Sequence, residues 1–430
     1  MKMIYRGSVT NMEDNKIDIK AICVVGLGYV GLPLLAALSK HFKCYGYDVD
    51  REKIEALRNR MDYTGELNQK ELSTLQTVNL GYHLKKFRLA TVYIVTVPTP
   101  VDLNKVPDLA HLSGATKSIA EQLKKGDLVI YESTVFPGAT EEICIPILEN
   151  ISGLKLNQDF SVGYSPERIN PGDKINKMEQ ITKIISATND RALNSMKAIY
   201  GSIIKAGLHV APNLKVAEAA KVVENIQRDL NIALMNELSQ VFATLEINTK
   251  DVIAAASTKW NFMPVYPGLV GGHCIGVDPY YLISRSAQEG LIPHLILRAR
   301  EINESMTGHV VNAISEIALL RSKSIERILI LGVTFKPNVP DVRNSKVLEI
   351  ITRLEKLGRV VDVYDPYVET SSNFPKGSQL NYSSYDLVIV AVPHTLFERE
   401  RERLLDYDAN GGIVIDLYGK IVPEITAFEL

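Results

Sequence analysis

The stretch "AICVVGLGYVGLPLLAALSKHFKCYGYDVD" constrains the fold more than any other part of the chain. A short apolar run meets Gly26, Gly28 and Gly31, and a helical apolar pattern follows. A second apolar run then ends at Asp48, about twenty residues after the first glycine. Strand, G-x-G-x-x-G, helix, strand and acid in that order form a dinucleotide-binding unit. Gly26 permits the tight turn, Gly28 lets the backbone approach a pyrophosphate, and Gly31 allows close helix–strand packing. Tyr29 and Val30, between the second and third glycines, belong to the same cofactor loop. The helix N-terminus then faces the phosphates. Asp48 would bond the adenosine ribose hydroxyls, which favours NAD over NADP. The alternative is a glycine-rich turn in an unrelated α/β unit.

Further strand patterns follow at 91–99, 127–134, 161–167 and 181–188, with helical stretches between several of them. Strands alternating with helices imply an α/β fold with a parallel, doubly wound sheet. Ligands on such sheets bind beyond the C-terminal strand ends, where 98–100, Ser133, Thr134, Pro166 and Glu167 fall. From about Asn213 to Leu245 apolar residues recur every three or four positions with few breakers, which predicts one long helix. Lys221, Asn225 and Arg228 are spaced to share a stripe of that helix, and a solvated stripe is the plain alternative. A second α/β unit begins near 326 with "RILILGVTF" and a helix ending at Gly358; "VVDVYDP", "DLVIVAVP" and "GIVIDLYG" are further strands. It lacks the glycine fingerprint, so a different ligand is expected there. The resulting division is a loose extension (1–19), a cofactor domain (20–212), a central helical domain (213–320) and a C-terminal Rossmann-like domain (321–430).

Composition excludes several classes. The net charge is −2, which gives no reason to expect a nucleic-acid or membrane-surface binder. The first twenty residues have no apolar core of a signal peptide, and no apolar run is long enough to span a bilayer, so a cytoplasmic location is expected. The four cysteines form no C-x-x-C pair, so no metal site is expected, and a reducing compartment disfavours disulfides. Cys23, Cys44 and Cys144 sit in apolar runs and read as core residues. Cys274, in "GGHCIGVDPYYL", differs: glycines, a histidine and Asp278 surround it.

Six segments in order, "VVGLGYVGLPLLAAL", "ESTVFPGAT", "SPERINPG", "EAAKVVENIQRDLNIALMNEL", "GGHCIGVDPYYL" and "LGVTFKPNVPDVRNSK", resemble the UDP-glucose/GDP-mannose dehydrogenase family from about Lys20 to the C-terminus. The resemblance implies oxidation of a nucleotide-sugar C6 hydroxyl to a carboxylate with two NAD and one covalent cysteine. It also implies dimerisation through the central helices and a UDP-sugar site in the C-terminal domain. By this resemblance Cys274 is the nucleophile, and the thiolate of a cysteine is accessible near neutral pH. Lys221 and Asn225 would face C6, with Lys221 stabilising alkoxide charge or acting as base. Asp278 would pair with Lys221 or orient water, unless it merely makes an Asx turn before Pro279. Glu167 would help activate water for thioester hydrolysis, and Thr134 would position that water and touch the nicotinamide. Arg168, Ile169, Arg228, Tyr266, Gly271, Phe335 and Lys336 would contact the sugar nucleotide, as would Glu167, Lys221 and Asn225. Lys53, Thr99 and Arg343 would join the NAD contacts.

Two departures point away from the UDP-glucose branch: Val277 replaces a lysine, and Pro171 replaces a second glutamate. The wording of the Cys274 segment resembles the UDP-N-acetylhexosamine branch, with UDP-N-acetylglucosamine or UDP-N-acetylgalactosamine as substrate for surface polysaccharide synthesis. UDP-N-acetylmannosamine is the runner-up. Trp260 stands where some relatives carry an arginine that reaches the partner subunit's site. Two rivals remain: a two-electron dehydrogenase that leaves Cys274 uninvolved, and a nucleotide-sugar sensor that binds without turnover.

Overall fold

The computed structural model describes residues 16–102, 104–169, 177–368 and 380–430. Pro171 and the first fifteen residues lie outside the described residues. The chain forms two compact units that divide between Val223 and Glu224.

In the first unit, β1 (Ile22–Val25), β2 (Cys44–Tyr47), β3 (Asn79–Gly81), β4 (Val92–Val95), β5 (Leu128–Tyr131), β6 (Ser161–Tyr164), β7 (Lys183–Ala187) and β8 (Leu208–Val210) form one sheet in the order β3-β2-β1-β4-β5-β6-β7-β8. Helices α1 (Gly31–Leu38), α2 (Arg51–Arg58), α3 (Gln69–Thr74), α4 (Ala110–Ala120), α5 (Ile145–Ser152) and α6 (Asp190–Gly201) cover its faces. Strands β1, β4 and β5 are buried along their whole length. That is why they read as unbroken apolar runs: a parallel sheet clothed on both faces has no polar side. Chain order reverses between β1 and β4, so the ligand-binding crevice of the sheet opens beyond their C-terminal ends.

One pairing departs from the parallel expectation. β6 and β7 run antiparallel, Gly163 facing Ala187 and Tyr164 facing Ser186. Parallel neighbours need a crossover, usually helical. The described residues between β6 and β7 hold only the short 3-10 turn Met178–Gln180. The N-terminal extension is also less loose than expected at its end. Ile17 is buried, and its amide donates to Ser195 Oγ at 2.8 Å.

The long apolar pattern is α7 (Leu214–Thr244), about 46 Å of helix at 1.5 Å per residue. Asn213 caps it by accepting from the Val216 amide. In the first unit, its Glu218 is fully buried and accepts from the amides of Gly138 and Thr140.

The second unit contains the rest of α7, α8 (Thr249–Ala256), α9 (Asp278–Gln288), α10 (His294–Leu320), α11 (Lys346–Lys356) and α12 (Arg401–Ala409). Its parallel sheet has the order β10-β9-β11-β12, from β9 (Arg327–Leu331), β10 (Val360–Tyr364), β11 (Leu387–Val390) and β12 (Val414–Asp416). Its order also reverses, between β9 and β11. Among the described residues, no helix is long and apolar enough to cross a membrane.

Candidate active site

In the first unit the glycine fingerprint sits at the switch point. Gly26 follows β1 with a positive φ of 96°, and its carbonyl accepts from Thr96 Oγ1, just beyond β4, at 2.6 Å. A Cβ on Gly31 would lie 1.9 Å from the Gly26 carbonyl oxygen and 2.4 Å from Thr96 Oγ1, so only glycine lets α1 approach β1 and β4 this closely. A Cβ on Gly28 would meet no protein atom within 4 Å. The backbone there is bare toward open space, which suits close approach by a diphosphate. Tyr29 and Val30 complete the turn into α1, whose N-cap position, Val30, makes no side-chain cap bond. Asp48 is buried and accepts from the amides of Leu27 and Asp50 at 2.9 Å each. This ties its carboxylate to the fingerprint loop. Lys53, on α2, lies 3.9 Å from Asp50 and 5.4 Å from the Tyr63 ring centroid.

Thr99, beyond β4, donates to the Thr134 carbonyl at 2.7 Å, and Ser133 donates to the Val97 carbonyl at 2.7 Å. The segments after β4 and β5 are therefore laced together. Beyond β6, Glu167 is buried in a network the sequence did not reveal. Its Oε1 accepts from the Arg168 and Ile169 amides at 2.7 Å each, and its Oε2 accepts from Lys183 at 3.1 Å. Lys183, buried on β7, also donates to Glu132 at 2.8 Å, and Tyr200 donates to the other Glu132 oxygen. Burial pushes the Glu167 carboxyl up, but the Lys183 ammonium and the two amides outweigh it and hold it below the usual range. Glu132 is held above that range by burial, which Lys183 only partly offsets. Burial alone would lower Lys183; Glu132 and Glu167 together raise it. A lone lysine in the apolar run "ITKIISAT" was the available signal.

On α7, Lys221 is buried in the first unit, and Asn225 follows one turn later, buried in the second. Arg228 does not continue this buried stripe. It is exposed, and Asp229 takes the buried position. Asp229 bonds to Arg300 at 2.5 Å and to Asn303 at 2.7 Å, both buried on α10. A spacing of three from Asn225 fits a helical stripe as well as a spacing of four does, so the pattern alone could not choose Asp229.

In the second unit Cys274 is partly exposed, whereas the other three cysteines are buried. Its carbonyl accepts from the amides of Val277 and Asp278 at 3.0 and 2.8 Å, which closes the turn into α9. Asp278, the first residue of α9, is buried and accepts from Asn225 Nδ2. It is thus held by a side chain as well as by the turn. Two glycines bring this loop against the segment after β9. A Cβ on Gly272 would lie 2.7 Å from the Phe335 ring, and one on Gly271 would lie 2.8 Å from the Asn344 carbonyl. The His273 ring meets Phe335 edge-on at 5.8 Å. Phe335 and Lys336 line a cavity of about 270 Å³ with Leu269, Pro337, Lys346 and Lys420, at the switch point of the second sheet. Arg343 is clasped to Asp341 through its own backbone and guanidinium, at 2.6 Å for the shortest contact. Tyr266 is exposed.

Two glycine-dependent switch points, one cysteine loop and a separate cationic cavity are the features to compare with known proteins. Three models of one family match in order: the NAD binding domain of the UDP-glucose/GDP-mannose dehydrogenase family at residues 20–204, its central domain at 215–305 and its UDP binding domain at 329–422. The chain belongs to the UDP-glucose/GDP-mannose dehydrogenase family. It is an NAD-dependent dehydrogenase, and the open space at Gly28 fits that cofactor. The chain is 47% identical over 389 residues to a UDP-N-acetyl-D-glucosamine 6-dehydrogenase of Pseudomonas aeruginosa, covering 89% of this chain and 92% of that one. It is 44% identical over 390 residues to a protein of the same name from Salmonella typhi, with the same coverage. Among solved structures, a UDP-D-ManNAc dehydrogenase from Pyrococcus horikoshii matches with a TM-score of 0.84 at 30% identity, covering 92% and 94% of the two chains.

Proposed function

We infer that the chain oxidises the C6 hydroxyl of a UDP-N-acetylhexosamine, UDP-N-acetylglucosamine first, to the uronate. The observation that carries this reading is the partly exposed Cys274, set in a glycine-bound loop four residues before the buried Asp278. The identity to enzymes of that name supports the sugar. Bound NAD accepts the hydride in each of two oxidations. One alcohol and one water give one carboxylate, two NADH and three protons.

The chain's residues divide the remaining work. Lys221 and Asn225 hold the C6 oxygen, the ammonium stabilising alkoxide charge. The Cys274 thiolate adds to the aldehyde and retains it; after the second oxidation the carbon is a thioester. Glu167 assists water in cleaving that thioester, with Thr134 positioning the water. Asp278, fixed by Asn225, orients the same polar cluster. Gly26, Gly28, Gly31, Asp48, Lys53, Thr99 and Arg343 serve NAD. Phe335 and Lys336 serve UDP, with Gly271, Tyr266, Arg168, Ile169 and Arg228 on the sugar-nucleotide side. A lysine-lined cavity suits a diphosphate.

We assign residues 20–212 to NAD, 213–320 to dimerisation and 321–430 to UDP-sugar. A homodimer is supported by α7, which exposes Val223, Leu234, Val241 and Leu245. Four free thiols suit a reducing cytoplasm, and the capsule-related name of a 43% identical relative, CapL of Staphylococcus aureus, suits polysaccharide precursor synthesis. The test is a panel of UDP-sugars with NAD, followed by NADH absorbance. Two NADH per UDP-N-acetylglucosamine or UDP-N-acetylgalactosamine are expected, with UDP-glucose at least about tenfold poorer in kcat/KM because its pocket partners go unpaired. A preference for UDP-N-acetylmannosamine would change the epimer, and one NADH per sugar would reinstate the two-electron reading.

A further inference from the structure

Glu167 is an unusual base. Four groups confine it: two backbone amides on Oε1, the Lys183 ammonium on Oε2, and Glu132 behind that ammonium. The titratable groups that face it come from three elements: Lys183 from β7, Glu132 at the end of β5, and Tyr200 from α6. The guanidinium of its neighbour Arg168 is bonded to the Thr182 carbonyl at 2.8 Å. Lys183, Glu132 and Tyr200 are each at most 4% exposed. A buried ammonium between two carboxylates is expensive to assemble and gives little net stability compared with apolar packing. A role in the reaction explains the arrangement better.

We infer that Lys183 is a positioning residue of the hydrolytic half-reaction: held by the buried Glu132, its ammonium locks the Glu167 carboxylate in one orientation and keeps it ionised. Glu132 has a second part. It neutralises Lys183 in part, so that Glu167 is not bound so tightly to the ammonium that it loses all basicity. Tyr200 fixes Glu132 from the other side. The inference rests on the reading of Glu167 as the water-assisting carboxylate.

The two flanking groups then have opposite effects on the pH profile. If protonation of Glu167 stops hydrolysis, kcat rises with pH through its pKa. Lys183→Met removes a cation, so this acid limb moves up by about 1–3 pH units. Glu132→Gln removes an anion and keeps a partner for Tyr200, so the limb moves down. Damage to packing cannot produce opposite shifts from two neighbouring sites.

The experiment uses the full chain with UDP-N-acetylglucosamine and NAD, recording steady-state kcat against pH and the NADH burst by rapid mixing. At about pH 6, Lys183→Met should release two NADH per site quickly and then turn over at least about tenfold more slowly than the parent. If that variant does not fold, Lys183→Met/Glu132→Gln removes the uncompensated charge and carries the same test, with the limb again moved up. A pH profile that is only scaled down, or shifts of the same sign in Lys183→Met and Glu132→Gln, overturns the inference. Glu167→Gln is the separate control. A burst followed by a stall supports the reading of Glu167, whereas turnover like the parent's removes that reading and the inference with it.

Discussion

Two glycines three residues apart should respond in opposite ways to the same methyl group. At Gly31, a Cβ would sit 1.9 Å from a carbonyl oxygen and 2.4 Å from a hydroxyl, both on backbone-tethered groups of the sheet edge. Neither can withdraw without moving β1 or the segment after β4. Overpacking of this kind costs about 1–3 kcal/mol and can exceed that when backbone must shift. At Gly28 the same atom meets nothing within 4 Å, and φ is not in the left-handed region. Alanine there restricts only the unfolded chain, so stability should stay level or rise by about 0.4–1 kcal/mol. The space it fills, however, is the space assigned to the cofactor diphosphate. Gly28→Ala should therefore keep the parent's urea midpoint and raise the KM for NAD at least about tenfold, which is about 1.4 kcal/mol of binding. Gly31→Ala should lower the midpoint. Urea denaturation of both variants, with NAD titrations of the folded forms, makes the comparison. The reasoning fails if Gly28→Ala binds NAD like the parent, or if the two variants lose equal stability.

The other predictions rest on separate features. Cys274→Ser should abolish steady-state turnover while UDP binding, measured calorimetrically, persists; near-parental turnover would take the thiol out of the mechanism. NAD should be preferred to NADP by at least about tenfold, because Asp48 would repel a 2′-phosphate, and Asp48→Asn should narrow the preference; equal kcat/KM for both cofactors in the parent would refute the assignment. Asp127 is 1% exposed, and burial raises its carboxyl to about 6. The folded chain thus holds this proton better than the unfolded chain, so stability is lost as pH rises through about 6 and regained as it falls. Asp127→Asn, which keeps an acceptor for the Lys124 amide, should be about 2 kcal/mol more stable than the parent at pH 8. That gain should vanish near about pH 4, and a gain of the same size at both pH values would show that ionisation is not its source.

Features coded by neighbours in the chain were legible. Gly26, Gly28, Gly31 and Asp48 span one βαβ unit, and the long helix announced itself by period and length. The buried strands were visible as apolar runs, because a sheet covered on both faces leaves no other pattern. Features made by distant partners were not. Lys183 meets Glu132 across 51 positions and Arg300 meets Asp229 across 71. Each of those residues is, by itself, an ordinary charge in or beside an apolar stretch. The antiparallel β6–β7 pair was missed for a related reason: strand direction depends on the path between strands, and spacing alone does not report it. At Arg228 the limit was angular, since neighbouring spacings of three and four fit one face equally well.

The distribution of thiols has a practical consequence. Cys23, Cys44 and Cys144 are buried, and burial pushes the latter two up to about 12 and Cys23 further still. They are shielded from electrophiles by sterics and by ionisation together. Cys274 is the one cysteine with solvent access. An alkylating reagent applied to the native protein therefore acts as a single-site stain. The rate of labelling reads out occupancy around Cys274, and a second, third or fourth adduct in the mass spectrum reads out unfolding, in the same tube and without any engineered tag.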